Sequence, residues 1–151
     1  MKKYSFTPNT VIWILITAFM LIGLATAYYY KGILSYYENT EICECIEVRD
    51  ILVLQLQEKI GFIGKYMVDI ALVGFSVGVI FSVLTLIGSL KVGYLFTFSS
   101  SAISALLIPI LVLVELESGV ICEYCTIMQV SVVSSAVLSL LWLTSIRKKQ
   151  L

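Results

Sequence analysis

The sequence predicts an all-α integral membrane protein, a bundle of four transmembrane helices with a short amphipathic half-helix on the membrane surface in the first outer loop. Three observations predict it. Of the 151 residues, 60% are hydrophobic and 13% charged, against roughly 45–50% and 25% in soluble domains. The apolar residues gather into four blocks, each able to cross a hydrocarbon core about 30 Å thick, which takes about 20 helical residues. None of the blocks alternates with period two, so they read as helices, which satisfy their own backbone hydrogen bonds, and not as barrel strands.

The blocks cover residues 10–30, 66–90, 93–114 and 121–146, leaving 31–65 and 115–120 as outer loops of a single transmembrane domain. Lys2 and Lys3, the first block and Ala25-Thr26-Ala27 together imitate a cleavable signal peptide. The apolar stretch is longer than the roughly 7–15 residues of an ordinary signal core, so a retained helix is expected. Tyr28, Tyr29, Tyr30, Tyr36 and Tyr37 mark the interface at its far end. The first loop is too short to fold as a separate domain. Its residues 50–59 are apolar at one end and flanked by charge, which suits a half-helix lying on the surface. Gly61 and Gly64 then let the chain turn into helix 2.

A turn over residues 88–93 makes helices 2 and 3 antiparallel neighbours. Small residues recur at helical spacing at Gly74 and Gly78, Ser101 and Ala105, and Ser131, Ser135 and Ser139. Close packing is the favoured reading of these over a polar pathway. Pro109 predicts a kink or local unwinding of helix 3. Asp69, near the outer end of helix 2, either snorkels to the interface or lines a polar cavity.

Charge sets the expected orientation, because Lys and Arg are retained on the cytoplasmic side. Lys2, Lys3, Lys91, Arg147, Lys148 and Lys149 share one side with no acid among them, while all ten acidic residues lie in or beside the two opposite loops. Both termini are thus expected in the cytoplasm and both loops on the outer face of a cell membrane. Ten basic residues balance the ten acids, so neither a nucleic acid nor a polyacidic partner is indicated. With no histidine in the chain, an imidazole base, a His-ligated haem and a His-containing zinc site are excluded.

The four cysteines carry the chemistry. Cys43 and Cys45 flank Glu44 in the first loop, and Cys122-Glu-Tyr-Cys125 opens helix 4, both pairs on the expected outer face, where disulfides persist. Spacing of three puts Cys122 and Cys125 on one helical face. The partial positive charge of a helix amino end favours the thiolate, the nucleophilic form. A disulfide closed over the single residue between Cys43 and Cys45 would be cramped, exposed and labile, more an exchange site than a staple. Three readings remain: an electron relay by thiol–disulfide exchange, structural disulfides in a noncatalytic protein, and a four-thiolate zinc or iron–sulfur site. An oxidising outer face disfavours the last.

This pattern of four helices, a cysteine pair in the first outer loop and Cys122-Glu-Tyr-Cys125 at the start of the fourth resembles the prokaryotic branch of the vitamin K epoxide reductase family, whose members act like the disulfide-forming membrane protein DsbB. The resemblance covers essentially the whole chain, and its signature is the placement of the two pairs. The first pair is more closely spaced than in most relatives. The resemblance implies a bundle enclosing a quinone of ubiquinone or menaquinone type near the outer leaflet. Cys125 would face the quinone, Cys122 would be its disulfide partner, and Cys43 and Cys45 would be the shuttle pair. By the same likeness a separate secreted thioredoxin-fold dithiol protein, DsbA-like, would deliver electrons, with Cys43 meeting that partner and Cys45 reaching Cys122. Gln129, one turn below Cys125, and Gln57 and Asp69 are the implied groups for holding a quinone oxygen. The DsbB branch reacts with quinone through its loop pair. The vitamin K arrangement is favoured here because Cys122 and Cys125 open a transmembrane helix. The implied activity is disulfide formation in exported proteins, with quinone or vitamin K epoxide recycling as the alternative direction.

Overall fold

The computed structural model describes residues 8–39, 66–119 and 123–150. They form α1 (Pro8–Asn39), α2 (Met67–Leu86), α3 (Leu90–Ser118) and α4 (Glu123–Gln150). All four are long and apolar enough to cross a membrane. The expected half-helix at 50–59, with Gly61 and Gly64, lies outside the described residues.

Local chemistry accounts for the boundaries. Pro8 is the first residue of α1, the position where a missing N–H and a fixed φ cost least. That helix continues past Tyr30 to Asn39, nine residues into what the sequence reads as loop. α2 ends in a tight turn in which Gly88 N–H donates to Thr85 O at 3.0 Å and Ser89 N–H to Leu84 O at 3.2 Å. α3 begins at once, so Lys91 stands in its first turn. It remains helical through Pro109, so no unwinding occurs there. It stops at Gly119, whose φ of 67° is the left-handed conformation that glycine reaches without a Cβ clash.

α1 packs against α2 and α4, and α3 packs against the same two. The chain therefore runs up and down around a square, with α1 and α3 on one diagonal. The α2–α3 turn marks one end of the bundle, called here the turn end, and the two loops mark the other, the loop end. Near the turn end the diagonal is filled by aromatic rings. Trp13 meets Phe96 at 5.6 Å and Trp142 at 5.0 Å, both nearly perpendicular, the edge-to-face geometry that ring quadrupoles favour. Ile16, Met20, Ala27 and Phe75 extend this core along α1 and α2.

Hydroxyl groups fill much of the remaining interior without requiring a partner helix. Buried Ser82, Thr85, Thr97, Ser131 and Ser139 each donate to a carbonyl three or four residues back, at 2.8–2.9 Å, which satisfies the hydroxyl inside its own helix. Ser131 and Ser139 are thus satisfied within α4, whereas the buried Ser135 hydroxyl between them has no hydrogen-bond partner among the described residues. Gly78 is buried beside Met20, while Gly74 faces open space.

Among the described glycines the closest approach is at Gly23, between α1 and α2. A Cβ built on Gly23 would lie 2.1 Å from the Phe75 ring, so no larger residue fits without moving a buried aromatic. Gly23→Ala is expected to destabilise the bundle by about 1–3 kcal/mol through overpacking, outweighing the roughly 1 kcal/mol that alanine gains over glycine in a helix. Gly74→Ala, with nothing within 4 Å of the new Cβ, should be neutral or stabilising. Thermal unfolding of the two variants in micelles checks the contrast, which reverses if α1 and α2 do not meet at Gly23.

Candidate functional site

The loop end assembles side chains from all four helices. Asn39 and Tyr66, the residues that flank the undescribed part of the first loop, belong to this end, and so does Cys125. α4 starts at Glu123, which makes Cys125 its third residue. The backbone N–H groups of such a first turn have no intrahelical acceptor, and their dipoles favour negative charge close by. Cys125 is half-buried. Cys43, Cys45, Cys122 and Gln57 lie outside the described residues.

Tyr124 precedes Cys125 and fixes the turn that carries it. Its ring stacks on Tyr30 of α1, with centroids 5.3 Å apart and planes 25° apart, and meets Tyr29 at 5.8 Å in a tilted contact. Tyr30 is buried, whereas Tyr29 is exposed. The next residue of α1, Lys31, forms an ion pair with Asp69 of α2. Two successive residues thus bind the upper part of α1 to α4 on one side and to α2 on the other.

The pair with Lys31 decides how Asp69 is held. Its side chain is 50% exposed and that of Lys31 53%, so the pair is open to water and contributes at most about 1 kcal/mol. Asp69 is the acid of an interhelical ion pair at the bundle surface.

Gln129 lies one turn below Cys125 on the same face of α4. It is 9% exposed, and its Nε2 donates to Oε1 of Glu115 on α3 at 3.4 Å. A long, weak bond of this kind links the two helices that follow one another around Gly119. The Gln129 carbonyl oxygen and second N–H remain to meet another group. The Gln129–Glu115 bond, one helical turn below Cys125, is a polar contact of the loop end. A cavity of about 120 Å³ bordered by Asn9, Trp13, Thr85 and Trp142 opens at the turn end, at the other extreme of the bundle.

Three members of this site have no role in the sequence reading: Glu115, Tyr124 and Lys31. A signal for Glu115 was present. Glu115 and Glu117 are two residues apart, so a helix directs them to nearly opposite faces, and only one can avoid the neighbouring helix. Glu117 is exposed and Glu115 half-buried. The pairing of Tyr30 with Tyr124 joins positions 94 residues apart, and no local pattern reports it.

No family model, curated protein or solved structure matches this chain.

The stack supplies a test of the site's construction. Tyr30→Ala is expected to cost about 2–4 kcal/mol by removing a buried ring and its partner contact, and Tyr30→Phe no more than about 1 kcal/mol because the stack is kept. Thermal unfolding of both variants reads the difference. Equal stability of the two would mean that the ring contact does not hold α1 to α4.

Proposed function

We propose that this chain is a membrane thiol–disulfide oxidoreductase that oxidises a secreted thioredoxin-fold dithiol partner and passes the electrons, through Cys43–Cys45 and then Cys122–Cys125, to a membrane quinone. In this reading the termini are cytoplasmic and the loop end faces outward, so the cysteines meet exported proteins. The reading rests on the cysteine pattern and its resemblance to the vitamin K epoxide reductase family. The observation that carries it furthest is the placement of Cys125 in the first turn of α4, above the amide of Gln129.

Chain geometry is compatible with a relay. Asn39 stands nine residues beyond Tyr30, about 13.5 Å higher at 1.5 Å per residue. Cys43 and Cys45 follow Asn39 by four and six residues, a reach of at most about 14 Å and 21 Å. Returning to the level of Tyr124 would fully extend the chain to Cys43 and leave slack at Cys45. That favours Cys45 as the residue that attacks Cys122 and Cys43 as the one that meets the partner.

The donor set suits a quinone by its chemistry. The Gln129 amide offers a donor to a carbonyl oxygen, Cys125 is a nucleophile one turn away, and the residue before Cys125 carries the aromatic stack with Tyr30. A bound quinone would supply a lipid-soluble acceptor of two electrons and two protons. The chain's own part is exchange between thiolates and disulfides, a two-electron chemistry that needs no metal. Gln129 orients the acceptor, Tyr124 and Tyr30 hold the Cys125 turn, and Gln57 is a further candidate for holding an oxygen. Asp69, with one carboxylate oxygen held by Lys31, is a third candidate.

The test is loss of quinone absorbance on adding a reduced thioredoxin-fold dithiol protein to the purified chain. Turnover is expected in the parent and its loss, by at least about a hundredfold, in both Cys125→Ala and Cys43→Ala, since each interrupts a series of exchanges. Loss in Cys43→Ala alone would transfer the quinone to the loop pair. No turnover, with all four cysteines locked in disulfides that resist the partner, would leave a noncatalytic four-helix protein.

A further inference from the structure

The cavity at the turn end is built by all four helices, with Asn9 and Trp13 of α1, Thr85 of α2, Leu90 of α3 and Trp142 of α4 on its wall. Its volume of about 120 Å³ admits several waters or one tetrahedral oxyanion. Two helices begin here. α1 starts at Pro8, one residue before Asn9, and α3 starts at Leu90 itself. The N–H groups of a first turn have no intrahelical acceptor, and their dipoles favour an anion. On α3 no side chain caps them, since Ser89 makes no capping bond.

The carbonyl ends of the other two helices do not cancel this field at the cavity. At the end of α2 the carbonyls of Val83, Leu84 and Thr85 accept from the N–H groups of Ile87, Ser89 and Gly88. α4 runs eight residues beyond Trp142 before it ends at Gln150, which carries its carbonyl end about 12 Å away. Charge points the same way. Lys91, exposed, follows Leu90, and Arg147, Lys148 and Lys149 stand in the last turns of α4, with no acid at this end among the described residues.

A separate observation concerns the indole of Trp13. The residue is 3% exposed, and its Nε1 is buried with no hydrogen-bond partner among the described residues. A buried donor left without an acceptor costs free energy that an oxygen placed beside it recovers. The ring atom Cζ2, joined to the same carbon as Nε1, lies 3.2 Å from a Cβ built on Gly93, a point also 2.8 Å from Thr85 Cγ2 and 2.7 Å from Trp142 Cη2. The edge of the indole that carries its N–H thus faces Thr85 and Trp142, which border the cavity with it. Asn9 adds further donors. Its Oδ1 accepts from Ser145 Oγ at 3.4 Å, so its amide N–H groups are left for another acceptor.

From these donors and this charge we propose that the turn-end cavity binds a phosphate oxyanion. The headgroup of an anionic lipid and free phosphate offer the same chemistry, and basic pockets between transmembrane helices are a recurrent place for the former. The site lies at the opposite end of the bundle from Cys125 and does not rest on the oxidoreductase reading.

The chain has two tryptophans, and both stand on the wall of this cavity, so tryptophan emission reports on it directly. The full chain in phosphatidylcholine nanodiscs is titrated with phosphatidylglycerol in the bilayer or with inorganic phosphate in the bath, at an ionic strength held constant with chloride. A saturable change in emission is expected. A response to phosphatidylglycerol alone makes the ligand a lipid headgroup, and a response to inorganic phosphate as well makes it a free oxyanion. Asn9→Asp keeps the shape and sets an acid in the first turn of α1, where the helix tolerates it, but the carboxylate repels the ligand and should weaken binding at least tenfold. Trp13→Phe keeps a ring and removes the N–H, and should weaken binding about fivefold, read through Trp142. Thermal unfolding without ligand shows whether each variant folds, and Trp13→Phe decides alone if Asn9→Asp does not. No saturable response to either probe, or an unchanged midpoint in a folded variant, overturns the proposal and leaves a cavity that holds water only.

Discussion

Tyr124 lies in the first turn of α4, immediately before Cys125, and its ring lies flat against Tyr30 of α1. The other constraints of the loop end depend on that contact. Four residues, 119–122, separate α3 from α4, and so short a separation does not by itself choose the rotation of the Cys125 turn. The stack supplies the rotation. With Tyr124 turned toward α1, helical spacing carries Cys125 and then Gln129 onto the adjoining face, toward α3 and Glu115. Lys31 completes the frame by joining α1 to α2 through Asp69.

The two ends of the bundle are built from different materials. At the turn end Trp13, Phe96 and Trp142 lock the diagonal with large rings whose mutual angles are set by their quadrupoles. At the loop end the interhelical contacts include an ion pair, a long amide–carboxylate bond and a tyrosine stack. An aromatic core resists repacking because each ring fills a shape. Polar bonds near water exchange partners at small cost. The end held by exchangeable bonds is the one that carries Cys125.

Much of the fold was legible in the sequence, because membrane-spanning helices announce themselves by length and polarity alone. The four blocks, the antiparallel turn between helices 2 and 3 and the break at Ser118-Gly119 follow from rules that act within a few residues. The extent of α1 did not follow, since residues 31–39 mix charge and tyrosine in a pattern as compatible with an interfacial loop as with a helix. Pro109 predicted a kink or local unwinding, and helix 3 passes through it without unwinding, since a long apolar segment keeps its remaining backbone bonds within the helix. In the site, Cys125 and Gln129 were visible by spacing on one helix. The spacing of Glu115 and Glu117 carried a signal, but the pairings of Tyr124 with Tyr30 and of Lys31 with Asp69 did not, because each acts across a seam. Which residues face one another across two helices depends on rotations that only packing decides. Asp69 shows the same limit: its place near a helix end could be read, but not its partner.

The helices are unequal in length, and this has a mechanical consequence in a bilayer. α2 has 20 residues and α1 has 32, or about 30 Å against about 48 Å. The shortest member, and not the average, decides which hydrocarbon thickness the protein matches. In a thicker bilayer the upper end of α2 would sink first and draw the Lys31–Asp69 pair out of water, where separating its charges becomes costly. A thinner bilayer would return the pair to solvent and weaken its hold on α1. Bilayer thickness would thereby set the tension on the frame around Cys125, so that the lipid composition of the host membrane acts on the site without touching it.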